Sequence, residues 1–398
     1  MRTIRHKLAD TWLFNWKGDF LSGLTSTLAL IPGAIAFSFI AGVSPMVGIY
    51  ATIVLSIALA LFGARPAMLT AAAGSMAVLM TPLVKEHGIE YLFAATVLAG
   101  IMQLLMGVFR LGRWMDYVPP SVITGFINAL AIMILVTQLQ YFTGEKLPMY
   151  LVVAGTLAVI YLWPRISKQI PSPLVAVVVM TGLTLALGLG LTNVGDEAPM
   201  TSALPMLHWP DIPLTWHTLG ILLPYSLSLT LVGYGETLLT QSKIDELLGE
   251  KTSKDKEMRG QGIGNVAAGL FGGMAGCALV AESIINTKLG GKGRLSNLAA
   301  GIILLLLVVI FGTEVAMIPM AALVGVMLFV SIEIFDWSSV AGIRRIPTSE
   351  TAVMAITVIV SVATHNLAIG MVAGLILHFA LRAAFSRRAE GRADIAKM

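Results

Sequence analysis

Two carboxylates stand inside apolar stretches of a chain in which only 12% of the 398 residues are charged. Glu236 lies in LVGYGETLLTQ, and Glu282 follows a glycine-rich, small-residue run within 261–294. An acid at membrane depth is costly and marks a functional position unless it is paired. No Lys or Arg stands deep in any apolar segment. Glu236 must then carry a proton or hold a hard cation such as Na⁺, whose charge suits carboxylate, hydroxyl and carbonyl oxygens. Thr240 comes four residues later on the same helical face and is placed to share that ligand. The plainer alternative is a structural acid hydrogen-bonded to backbone or hydroxyl groups.

The run around Glu282 has a second kind of chemistry. It is apolar enough for a membrane, yet residues 270–281 are mostly small, and the helical pattern resumes only near Glu282. Backbone broken at membrane depth is tolerated where protein or a water-filled cavity satisfies its polar groups, and in transporters such breaks carry the substrate site. A weak echo occurs earlier. Leu61, Phe62 and Gly63 lead into RPAMLTAAAGSMA, as Leu270, Phe271 and Gly272 lead into GMAGCALVAESII. If helices begin near Gly74 and Glu282, their N-termini face each other and offer free N–H groups and partial positive charge, an anion cradle without arginine. The same glycines would also let helices pack closely, and Glu282 would also serve as a helix cap.

Other chemistries are excluded. Cys277 is the single cysteine, so no intrachain disulfide forms. No cysteine or histidine cluster suggests a metal centre, and GQGIGN lacks the lysine and preceding strand of a phosphate loop. No nucleophile–base constellation is visible, so an enzyme is not expected. The net charge of +4 reflects topology and does not argue for nucleic acid. His365 reads as an interfacial residue, and Pro32 breaks the interior of the first span and would open backbone near the site.

The elements that position these residues are membrane spans, because 57% of the chain is hydrophobic. Taking about 20 apolar residues per crossing, spans are expected at 19–42, 46–63, 68–84, 91–109, 117–142, 148–164, 173–192, 217–241, 257–274, 277–289, 295–312, 316–333, 350–364 and 366–385. With the N-terminus inside, only Lys85 and Lys146 of the 26 lysines and arginines fall on the outer side, as the excess of cytoplasmic positive charge requires. Fourteen spans divide into two inverted repeats of seven, 18–192 and 217–385, joined by an extracytoplasmic loop at 193–216. Residues 1–17 read as an interfacial amphipathic segment rather than a removable signal, and 386–398 as a short cytoplasmic tail. The fold class is an all-α polytopic membrane protein with broken third and tenth spans. A bacterial cytoplasmic membrane with both termini inside is the expected location.

The motif order resembles the SulP family of anion permeases across residues 18–384. Its entry pattern is carried by Asp19, Gly23, Pro32, Ala41, Gly42, Pro45, Gly48 and Tyr50, followed by LGRWMDYVPPSVITGFINALAIMILVTQL, IPSPL, GETLLT, GQGIGN and GGKGRLSNLAAG. The resemblance implies a core domain with the site, a gate domain, elevator-type transport and commonly a homodimer. It implies that Glu236 and Thr240 match the Na⁺-binding acid and threonine of a bicarbonate-transporting member. It places Ala72, Ala73 and Gly74, continued by Ser75, and Gly276, Cys277 and Ala278, continued by Leu279, at the anion, with Glu282 beside them. Animal members carry arginine where Glu282 stands, and the bicarbonate transporter has threonine at the position of Ala73. Most members of that family carry a STAS domain after the last span, and none is expected here. The function so implied is secondary active transport of a small inorganic anion, bicarbonate or sulfate, coupled to Na⁺ or H⁺. A dicarboxylate or nucleobase permease of the same fold, or an anion channel, are the alternatives.

Overall fold

Hydropathy alone places the helices well. Among the described residues there are fourteen helices of nine residues or more: α1 Trp16–Ala41, α2 Pro45–Phe62, α3 Gly74–His87, α4 Ile89–Val108, α5 Pro120–Leu139, α6 Leu147–Leu162, α7 Ser172–Leu187, α8 Trp216–Leu248, α9 Lys254–Leu270, α10 Val280–Lys288, α11 Arg294–Ala316, α12 Met320–Ile334, α13 Thr348–Thr364 and α14 Leu367–Ile395. The computed structural model describes residues 12–112, 117–144, 146–167, 170–197, 203–342 and 346–395, with only the helical path for 383–395. The amphipathic segment expected at 1–17 lies outside the described residues up to residue 11, as do Arg113, Lys168, Arg344 and Arg345. Among the described residues, seven helices are long and apolar enough to cross a bilayer by themselves.

The boundaries shift where local chemistry intervenes. Pro119 and Pro120 delay α5, because proline is well placed in a first helical turn and poorly placed inside one. α8 runs past the expected 241 to Leu248, ended by Gly249 in the left-handed conformation. α9 starts at Lys254, capped by the Ser253 hydroxyl. α14 continues beyond 385 to Ile395. Helix α10 begins at Val280, two residues before the expected start at Glu282, and its N-cap is Leu279. Glu282 is therefore not the cap of that helix.

α3 and α10 are the two shortest of the fourteen. Fourteen residues rise about 21 Å, short of the roughly 30 Å hydrocarbon core, and nine rise still less. Each is completed by a three-residue strand, β1 Thr70–Ala72 before α3 and β2 Gly276–Ala278 before α10. The strands pair antiparallel, with Thr70 opposite Ala278, Ala71 opposite Cys277 and Ala72 opposite Gly276.

The helices pack in two groups. α1 to α4 interlock with α8 to α11, most tightly α4 against α9, α1 against α11 and α2 against both α9 and α11, while α5 to α7 pack with α12 to α14. The α4–α9 contact is backbone on backbone. A Cβ on Gly262 would stand 2.5 Å from the Leu104 nitrogen, and one on Gly100 2.5 Å from the Val266 nitrogen. Small residues of this kind replace hydrophobic drive between membrane helices.

The loops sort to two ends. At one, His208 meets Glu90 at 2.8 Å, the Asp211 N–H also donates to Glu90, and the Tyr50 hydroxyl donates to the Ala203 carbonyl. At the other, Arg65 pairs with Glu250 at 2.8 Å and Asp245 at 3.3 Å. There, buried Glu257 accepts the Ala64 and Arg65 N–H groups, and Asp19 accepts those of Lys292 and Gly293.

Candidate functional site

The β1–β2 ribbon fixes the geometry of the site. Because the strands are antiparallel, each leads into its helix from opposite ends of the ribbon, and α3 and α10 leave in opposite directions. Three-residue strands rise about 7 Å from first to last residue, so both helix N-termini lie close to one point. Neither is capped by a side chain, since the residues at the caps are Ala73 and Leu279. A helix end without a cap leaves N–H donors in want of a partner; the end is buried at α3 and open at α10, where Ala281 is exposed. Ala72, Ala73, Gly74, Ser75, Gly276, Cys277 and Ala278 are all buried, and Leu279 is partly so. Gly74 has no room for a side chain, because a Cβ would stand 2.8 Å from the Phe37 ring of α1. α1 itself stays helical through Pro32, whose missing N–H leaves the Leu28 carbonyl without its helical donor.

Glu236 of α8 reaches both halves of this break. Its Oε2 accepts the Ser75 hydroxyl at 2.7 Å and the Cys277 thiol at 2.6 Å. Among the described residues it has no ion pair with Lys or Arg. Thr240 lies beside it, but its hydroxyl donates to the Glu236 carbonyl at 2.7 Å and to the Ala278 carbonyl at 3.2 Å. Thr240 thus ties α8 to β2. Glu282 sits half-buried in the first turn of α10, close enough for its charge to act on Glu236 and Cys277.

A two-stranded ribbon in a membrane has two open edges, and each outward N–H and C=O needs a partner. Side chains from three helices supply them. From α2, the Thr52 hydroxyl accepts the Ala72 N–H and the Ser56 hydroxyl donates to the Thr70 carbonyl, both at 3.3 Å. From α9, Asn265 closes a two-way contact with Gly276, accepting its N–H at 2.9 Å and donating to its carbonyl at 3.0 Å. Gln103 of α4 orients that amide by accepting its second donor at 2.8 Å. From α8, Thr237 accepts the Ala278 N–H at 3.4 Å. Sequence reasoning missed Thr52, Ser56, Gln103, Thr237 and Asn265. A faint signal existed in the four-residue spacing of Thr52 and Ser56 and of Gln261 and Asn265, which puts hydroxyls and amides on one face of apolar helices.

Two broken helices meeting around an unpaired carboxylate, in a bundle of fourteen, define a membrane transport protein. The chain belongs to the sulfate permease family, whose profile matches residues 16–152 and 145–357. YbaR of Bacillus subtilis (strain 168) is 48% identical over 370 residues, covering 93% of this chain and 77% of that protein. The bicarbonate transporter BicA of Picosynechococcus sp. is 29% identical over 359 residues, 81% of this chain and 62% of BicA. The transmembrane domain of a cyanobacterium bicarbonate transporter BicA superposes with a TM-score of 0.81 at 25% identity, covering 90% of this chain and 98% of that one. The murine Slc26a9 anion transporter in its inward-facing state shares the fold, with a TM-score of 0.82 at 16% identity over 94% of this chain and 69% of that one. The chain is an all-helical integral membrane protein of two inverted seven-span repeats and an anion transporter rather than an enzyme.

Proposed function

We propose that the chain is a secondary active transporter of a small inorganic anion, bicarbonate or sulfate, coupled to Na⁺ or H⁺ through Glu236. The proposed setting is a bacterial cytoplasmic membrane, with both termini inside, an elevator-type movement and a homodimeric assembly. The observation that carries this reading is the pair of helix N-termini without an N-cap side chain at the ends of one ribbon, the first buried and the second partly exposed, with Glu236 bonded to both sides of it. The N-termini supply donors and positive potential for an anion. Glu236 supplies the opposite charge nearby, so a proton or Na⁺ on it relieves the repulsion an entering anion would otherwise meet. Anion and cation then load together. Glu282 adds negative charge at the same place, which favours singly charged bicarbonate over sulfate. The family name and the BicA relative support these two anions as substrates.

Uptake of labelled bicarbonate, sulfate and dicarboxylates into proteoliposomes, with and without Na⁺ and pH gradients, tests the reading. The wild-type chain is expected to accumulate one inorganic anion in response to one gradient, and Glu236→Gln to lose that response. Full gradient-driven uptake in Glu236→Gln would remove Glu236 from the coupling role. Non-saturating currents without coupling would replace the transporter with a channel.

A further inference from the structure

Away from the ribbon, where α4 ends and α9 begins, lies an open cavity of about 350 Å³ lined by Gly107, Val108, Arg110, Ser253, Asp255 and Arg259. None of these residues belongs to the ribbon or to the side chains that close its edges. Arg110 and Arg259 enter no ion pair among the described residues. Asp255, the carboxylate in the lining, is engaged by the Gly112 N–H at 2.8 Å, which ties the end of α4 to α9. Both arginines are exposed. The stem of Arg259 lies across Gly107, 2.6 Å from where a Cβ would stand, so the absence of a side chain there lets the guanidinium chain cross α4. Arg110 takes a left-handed backbone conformation, φ +58°, just past the end of α4. Glycine usually fills such a position, and here an arginine does.

A second, independent feature leads into the cavity. Ile101, Leu105 and Val108 form an apolar stripe along α4 at helical spacing, 42%, 46% and 55% exposed, and Phe109 beyond them is 69% exposed. An anionic head beside an apolar tail is the chemistry this arrangement matches. Forked guanidinium donors recognise phosphate oxygens, and basic pockets between membrane helices take anionic lipid headgroups. The cavity lies beside the 243–259 segment with its lysines, at the end of the molecule where such lipids carry their charge if the proposed topology holds.

We propose that this cavity binds the phosphate of an anionic phospholipid, with an acyl chain lying along Ile101, Leu105 and Val108. The shared chemistry is a phosphate anion, and the experiment separates lipid from soluble phosphate. The full chain is reconstituted with phosphatidylglycerol and phosphatidylcholine, extracted into detergent, and the lipids retained per chain are counted by native mass spectrometry. Wild type is expected to retain phosphatidylglycerol selectively. The double variant Arg110→Gln, Arg259→Gln is expected to lose about tenfold or more of it, and Arg110→Lys, Arg259→Lys to keep part. Equal retention by wild type and the glutamine variant overturns the proposal. So does full displacement of lipid by millimolar inorganic phosphate, which would assign the pocket to a soluble anion. If the double variant fails to give monodisperse protein, Arg259→Gln alone is measured in the same way, and unchanged retention there overturns the proposal equally.

Discussion

Glu236 is contacted by two donors that come from opposite halves of the broken pair, Ser75 and Cys277. Any change in its charge is felt on both sides of the ribbon, and that makes it suited to linking an anion to a cation. Its presence was legible in the sequence because a carboxylate inside an apolar helix stands out by itself. Its partners were not, since Ser75 lies 161 residues away and Cys277 lies 41 away, and only the fold brings them together. Glu282 was also visible by its charge, but its helix starts two residues earlier than its sequence suggests, so it stands in the first turn rather than at the N-cap, and its carboxylate accepts its own backbone N–H there. The role proposed for Glu282 is electrostatic, through its charge beside Glu236 and Cys277. Glu282→Arg replaces repulsion with attraction there, and a doubly charged anion gains more from that exchange than a singly charged one. Equilibrium binding of sulfate and bicarbonate to the variant is expected to shift the sulfate-to-bicarbonate affinity ratio toward sulfate by about tenfold or more, near 1.4 kcal/mol. An unchanged ratio would place Glu282 outside the site.

At the scale of elements, the long spans could be read from hydropathy because each carries its signal within some twenty residues. The ribbon could not. Three residues are too few to show a strand's alternation, and apart from Thr70 the residues of TAA and GCA are small ones with little strand preference. What makes them strands is the set of partners around them, supplied by α2, α8 and α9, and no local pattern records that. Gly276 shows how closely they fit: a Cβ there would stand 2.4 Å from Leu55 and closer still to the carbonyl of Ala71, the diagonal neighbour on β1. Asn265 is the test of this account, because it alone serves both polar groups of Gly276. Asn265→Leu keeps the volume and leaves a buried N–H and C=O unpaired, at about 1–3 kcal/mol each. The variant is expected to denature at lower temperature and to transport with raised KM, while Asn265→Gln falls between. Transport and melting indistinguishable from wild type would mean that the edge of β2 needs no partner.

At the scale of the whole molecule, charge placement indicated fourteen crossings, and the observed loops separate to two ends as that count requires. The division into two packed groups was legible only through the family resemblance, because a helix's neighbours are not written in its own hydropathy. α1 to α4 with α8 to α11 hold the ribbon, and α5 to α7 with α12 to α14 form the second group. This division cuts across both repeats in the same way, taking the first four spans of each into one body and the last three into the other. Transport by elevator motion requires the first body to slide along the second, carrying the site with it. A covalent tie across the boundary must then stop transport without altering the site. Ile40 of α1 and Leu323 of α12 line one gap of about 10 Å³ between the groups, too small for more than a single water. Cysteines at both positions, in a Cys277→Ser background, are close enough for a short bifunctional thiol reagent. Cross-linking is expected to block anion uptake relative to the same protein before treatment, and to leave equilibrium anion binding intact. A reagent cleavable by reductant should give uptake back on reduction. Quantitative cross-linking with undiminished uptake would show that the two bodies do not move past each other at α1 and α12, and the elevator reading would fail there.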